Sequence, residues 1–203
     1  MFKKTAIALF AVLIGGCAQT PQIASYQLNI HVSEPDRVRF SGKGAGAGMM
    51  MSASMGPMGV AIGVAIDEGI SKKIDAAARQ SHFDVKALVH GCMQGTGQGE
   101  VTIQRYGFVL WPHTTEEEVV VPEWQVEYRS IDSKGDSKGG MGSQAVFVNY
   151  PADFKEAHND TLGESIDVYA FERIKSDGDY VVLALEESLG KVCHRLVFRE
   201  STP

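Results

Sequence analysis

Positive charge is in short supply in this sequence. Its 203 residues carry 19 Lys and Arg against 25 Asp and Glu, a formal net charge of −6. Nucleic-acid binders gather basic side chains on one face, so no nucleic-acid partner is expected. Cysteine is scarce too: there are three, and none lies in a C-x-x-C pair of the kind that tunes a redox thiol. Catalytic signatures are missing. The chain has no P-loop, no G-x-S-x-G turn and no H-E-x-x-H helix. Its six His (His31, His82, His90, His113, His158 and His194) stand beside no nucleophile in any recognisable spacing. Glu116, Glu117 and Glu118 read as a solvated loop, and Asp132 and Asp136 lack the EF-hand pattern. No repeat is evident. The expectation is a protein that is not an enzyme and holds no catalytic residue, metal or diffusible cofactor.

What is present starts at the amino terminus. Residues 1–16 read MFKKTAIALFAVLIGG: Lys3 and Lys4, an apolar run of about ten residues, then Gly15 and Gly16. Such a run is too short to span a bilayer and has the three-part layout of a secretory signal. Cys17 follows at once. Ile14-Gly15-Gly16-Cys17 resembles the lipobox of bacterial lipoprotein precursors, with Ile14 where Leu is commoner. The resemblance covers about the first 20 residues. It implies cleavage before Cys17 and a covalent lipid on that residue, whose acyl chains would anchor the protein at ~0.8 kcal/mol per buried CH₂. Ala18 and Gln19 follow the cysteine, and the absence of Asp there suggests the outer membrane, with the domain facing the periplasm. Removing residues 1–16 leaves 17 basic and 25 acidic residues, a net charge of −8. Anionic head groups would repel such a protein, so the anchor has to be hydrophobic.

With Cys17 lipidated, Cys92 and Cys193 remain, and an oxidising compartment favours a disulfide between them. Two free thiols, or a metal site completed by His90 and His194, are the alternatives; H-x-C and C-H are poor zinc-ligand spacings.

One window is compositionally distinct. Residues 45–66 carry no charge, and eight of the 22 Gly lie between Gly42 and Gly69. Small residues recur every four positions at Gly44, Gly48, Ser52 and Gly56, then again at Gly59 and Gly63. This spacing lets helix backbones approach closely, which makes these six the candidate residues for helix packing or oligomerisation. In an exposed helix each glycine would instead cost about 1 kcal/mol. Met58, Ile62, Ile66, Ile70 and Ile74 continue as a helical stripe, so 44–80 reads as one long helix that Pro57 can kink or divide. Three arrangements fit: insertion into a membrane with assembly through the glycines, as in the glycine-zipper segments of envelope lipoproteins that it resembles in pattern; burial against the rest of the domain; or a flexible Gly/Met loop. Met51, Met55 and Met58 would share a helix face and offer soft ligands to Cu(I), although Met is more often a gap-filler.

Elsewhere the patterns favour strands. Residues 26–32 alternate, and 37–40 is expected to pair with them as a hairpin. Residues 83–93 fit a strand or a helix, with the alternation of Val85, Ala87 and Val89 favouring strand; strands are expected over 101–111, 119–131 and 144–150, with a short helix at 152–158. Trp111 and Trp124 read as core or rim aromatics. Asp177-Gly178 between alternating runs suggests a hairpin and a meander over 166–198, although Val181, Leu185, Leu189, Val192 and Leu196 also fit a helix stripe.

The expected organisation is a signal peptide (1–16), a lipid-anchored tether (17–24) and one α+β domain (25–203). That domain is mainly antiparallel, with a long Gly-rich helix inserted after the first hairpin. The expected role is a lipid-anchored structural or assembly component of the envelope, with the membrane, a second copy or another envelope protein as partner. A monomeric binding module for a protein, glycan or small ligand is the alternative.

Overall fold

The computed structural model describes residues 28–94, 98–111, 118–130, 145–155 and 166–200. The signal sequence, Cys17 and the tether lie outside them, as do His113, Glu116, Glu117, Asp132, Asp136 and His158.

The fold is α+β: one mixed sheet with helices packed against it. β3 (Gly99–Trp111) and β4 (Val119–Ser130) form its long antiparallel centre, and β5 (Ala145–Tyr150) adds to β4 antiparallel. β1 (Leu28–Val32) and β2 (Arg39–Ser41) both pair with β3, and both run parallel to it. The hairpin expected between β1 and β2 is therefore not formed. β3 is long enough to serve two short strands in succession: Leu28–Val32 aligns with Gly99–Ile103, and Arg39–Ser41 with Gly107–Val109. Parallel neighbours need a long crossover. Three helices after β2 lie within it, α1 (Lys43–Met55), α2 (Pro57–Gln80) and α3 (Val85–Cys92). β6 (Tyr169–Ala170) pairs with the start of β4.

A register shift between Ile103 and Arg105 resets the side-chain alternation of β3. Ile103 and Tyr106, three residues apart, are thus both buried, opposite Val126 and Trp124. The Tyr106 and Trp124 rings stack at 5.7 Å.

The carboxy-terminal region corrects the expected meander. After the short α4 (Ala152–Lys155), residues 171–200 form α5 (Phe171–Ser176) and α6 (Gly178–Glu200). Asp177 starts α6 by accepting the Tyr180 amide at 3.0 Å. Val181, Leu185, Leu189, Val192 and Leu196 are all buried, so the helical stripe prevails. Ser188 on the same face accepts a 2.8 Å hydrogen bond from the Trp124 indole, which joins α6 to the sheet. Residues 85–92 of the 83–93 segment are likewise helical, with the alternation overruled. Asp84 accepts the Lys86 and Ala87 amides at the start of α3, and Val85 and Val89 bury one face. A disulfide joins Cys92 to Cys193, tying α3 to α6 across 101 residues of sequence. Those thiols are therefore not ligands in a zinc site.

Candidate functional site: the glycine-seamed hairpin

The 44–80 segment is two helices rather than one. Gly56, at φ 58°, reverses the chain, and Pro57 opens α2 at a position where its missing amide costs nothing. α1 folds back along α2. Met55 ends α1 and Met58 belongs to α2, so the three methionines considered for copper do not share one helix face.

Glycine makes the hairpin seam. Gly44 and Gly48 of α1 meet Gly63 and Gly59 of α2. A β-carbon on Gly44 would overlap the Gly63 carbonyl, and one on Gly63 would overlap that of Gly44. One on Gly59 would enter the Met51–Ser52 peptide. Four of the six small residues are thus used within the chain, where they bring two backbones into direct contact. Ser52 is half-buried beside them, its hydroxyl donating to the Met49 carbonyl at 2.8 Å. Gly56 is at the apex, with open space where a side chain would stand.

The base is held by side chains of α2 that composition and periodicity did not single out. Asp67, Ser71 and Asp75 recur every four residues and accept the backbone amides of residues 42, 40 and 38. The bonds are Gly42 N to Asp67 Oδ2 at 3.0 Å, Phe40 N to Ser71 Oγ at 2.8 Å and Val38 N to Asp75 Oδ1 at 3.0 Å. Four helical residues rise about 6 Å, while two strand residues advance about 6.6 Å. The two periods nearly match, so a strand can lie antiparallel along a helix with an acceptor at every second amide. Asp67 Oδ1 also accepts the Gly44 amide at 2.6 Å, capping α1, whose own N-cap residue is a glycine. Gly42 sits at φ 118° against Leu110, a position that disfavours any side chain. Lys43 Nζ pairs with Glu118 at 2.6 Å and lies 4.8 Å from the Phe171 ring centre.

Beyond this base the hairpin is bare. Met49, Met50, Met55, Met58, Val60 and Val64 are exposed, Met50 at 82% and Val64 at 65%. Ile74 and Ala78 of the same helical stripe are fully buried, while Ile62, Ile66 and Ile70 are half-buried. α2 thus leaves the core as it approaches the tip. An apolar groove of about 300 Å³ runs between Gly48, Met49, Val60 and Val64. Among the described residues, no helix is long and apolar enough to cross a membrane.

A second concavity is polar. Asp36, Asp75, Arg79, Phe83, Asp84 and Tyr106 line a cleft of about 330 Å³. Its groups largely satisfy one another: Tyr106 donates to Asp36 at 2.8 Å, and Arg79 donates to Asp75 at 2.7 Å. Burial, reinforced by Asp36, pushes the Tyr106 hydroxyl well above the ordinary range, so it stays a donor. Of the histidines, His31 lies 3.4 Å from Glu100, and His82, His90 and His194 are exposed. Among the described residues no three or more His, Cys, Asp or Glu are grouped to hold a metal ion.

No protein-family model matches the chain, and neither a curated protein nor a solved structure matches it. The functional reading rests on the sequence and this geometry.

Proposed function

We propose that the chain is a lipid-anchored envelope protein serving as a structural or assembly component, with the α1–α2 hairpin as its working element. In this reading Cys17 carries the lipid, the outer membrane holds it, and the domain faces the periplasm. The observation that carries the reading is the exposed hairpin: two helices sealed together by glycine, with no charge over residues 45–66. A water-soluble surface element of that length normally carries charge on its outer face. Contiguous exposed apolar surface marks a contact with a membrane or another protein.

The test has two parts. Mass spectrometry of the mature full chain should find the acyl mass on Cys17. The pair Met50→Asp and Val64→Asp, which leaves the seam untouched, should lose cross-linking to envelope partners or to itself while keeping its far-ultraviolet spectrum. Wild-type cross-linking by that variant would defeat the assembly role.

The polar cleft favours a second reading, a monomeric binding module for a small polar ligand or glycan. A thermal-shift gain with an envelope glycan, lost in Arg79→Ala, would bring that reading forward.

A further inference from the structure

We propose that the α1–α2 hairpin inserts as a two-helix wedge into the same lipid leaflet that holds the acyl chains of Cys17. This rests on the preceding reading for the existence of the anchor, and it commits the hairpin to lipid rather than to a protein.

The exposed apolar residues do not form a single face. Met49, Val60 and Val64 border the groove beside the glycine seam, while Met50, two positions on from Gly48, stands about 200° round α1 from it. A protein partner would account for one side. A helix pair that is apolar all round calls for an apolar medium. Both serine hydroxyls of the window and the apex amides of Gly56 and Gly59 are bonded internally, as hydrocarbon favours. Ser52 donates to the Met49 carbonyl at 2.8 Å and Ser54 to the Met51 carbonyl at 3.2 Å. At the apex the Gly56 amide donates to Ser52 O at 2.9 Å and the Gly59 amide to Gly56 O at 3.0 Å. Charge returns at the base with Lys43, Asp67, Glu68 and Lys72. α1 has 13 residues, a length of about 20 Å. That exceeds one leaflet of a ~30 Å hydrocarbon core and falls short of the whole.

The tether length selects the leaflet. The Val38–Asp75, Phe40–Ser71 and Gly42–Asp67 contacts run α2 antiparallel to β2, so the hairpin projects past the end of the sheet where Ser41 pairs with Val109. Leu28 pairs with Gly99 at the other end, roughly 30 Å away along β3. Eleven residue steps separate Cys17 from Leu28, and a chain of that length spans at most ~36–40 Å. The anchor can therefore reach the plane of the hairpin base with only a few ångströms to spare.

The experiment uses the purified, lipidated full chain in phosphatidylcholine vesicles, with or without bromine at mid-acyl depth. Met50→Trp is the reporter, read against the parent with Trp111 and Trp124, and Leu183→Trp on exposed α6 is the control. Bromolipid should quench the Met50→Trp signal about twofold or more and spare Leu183→Trp. Deleting residues 19–24 cuts the reach to ~18 Å, and quenching should then vanish although the protein stays anchored. Quenching that survives the deletion overturns the proposal in favour of an opposing bilayer. Absent quenching on an acylated chain also overturns it and leaves the anchored-protein reading intact; a concentration-dependent cross-linked pair would then name a second copy as the occupant. If Cys17 carries no acyl mass, both readings fall.

Discussion

Asp67 holds the Gly44 amide at 2.6 Å, so the residue that ends the uncharged window also caps the helix that begins it. The same carboxylate accepts the Gly42 amide, making it the pin at the base of the hairpin. Asp67→Ala removes both bonds and leaves the two amides without that acceptor. Hydrogen bonds to a charged acceptor contribute about 1.5–3 kcal/mol each, so the loss of two is expected to cost up to about 3–6 kcal/mol. Amide exchange should quicken in residues 44–48 first. Unchanged exchange there would show that the seam alone holds α1.

The glycines separate into two kinds. Gly63→Leu drives a side chain into the Gly44 backbone and should part α1 from α2, while the sheet and α6 keep their exchange protection. Gly69 and Gly190 have open space where a β-carbon would stand. Gly69→Ala and Gly190→Ala should each raise stability by about 0.5–1 kcal/mol through helix propensity. Denaturant midpoints of the three variants decide it, and a stabilising Gly63→Leu would refute the seam.

Replacing Cys92 and Cys193 together by Ser should cost about 2–5 kcal/mol, because the bridge closes a long loop in the unfolded chain. The loss should match that produced in the wild type by a reductant. A variant as stable as the oxidised protein would mean that α3 and α6 hold together by packing alone.

The acid limb of stability should depend on Glu68. Arg37 donates to both of its carboxylate oxygens at 2.6 Å and holds its pKa below the ordinary 4.5. A carboxylate depressed in the folded state stabilises fully above its unfolded pKa, and that contribution is lost as pH falls through the folded value. Glu68→Gln should therefore flatten the fall in denaturant midpoint below about pH 4.5. Half-buried Glu123 is shifted up by desolvation and contributes a slope of opposite sign, so its replacement should not mimic Glu68→Gln. Parallel acid limbs for Glu68→Gln and the wild type would show that the pair has no linkage to folding.

Much of this architecture could be read from sequence where one signal dominated. The long strands β3 and β4, rich in β-branched and aromatic residues, lie close to where their composition puts them, and Cys92 and Cys193 are bridged. Reading failed where two signals competed. Asp177-Gly178 looks like a hairpin turn, yet Asp177 caps a helix and Gly178 lets α6 start against the Ala77 carbonyl. Val85, Ala87 and Val89 alternate, but Ala87 is exposed and the capping Asp84 was the better guide. The hairpin seam was half legible: the small-residue spacing was plain, but spacing does not say whether the close neighbour is another chain or the same one. Only the reversal at Gly56 decides that. The acceptors Asp67, Ser71 and Asp75 could be found only by looking for polar residues at helical spacing beside the apolar stripe, one position on from Ile66, Ile70 and Ile74.

That ladder of acceptors has a consequence for solubility. An outer strand normally offers its unpaired amides to any other extended chain, which is how sheets join edge to edge and aggregate. Along β2 those amides are occupied by side chains of α2. This border of the sheet is closed to strand addition, and growth of the protein into fibres along it is blocked by three short polar residues on a helix.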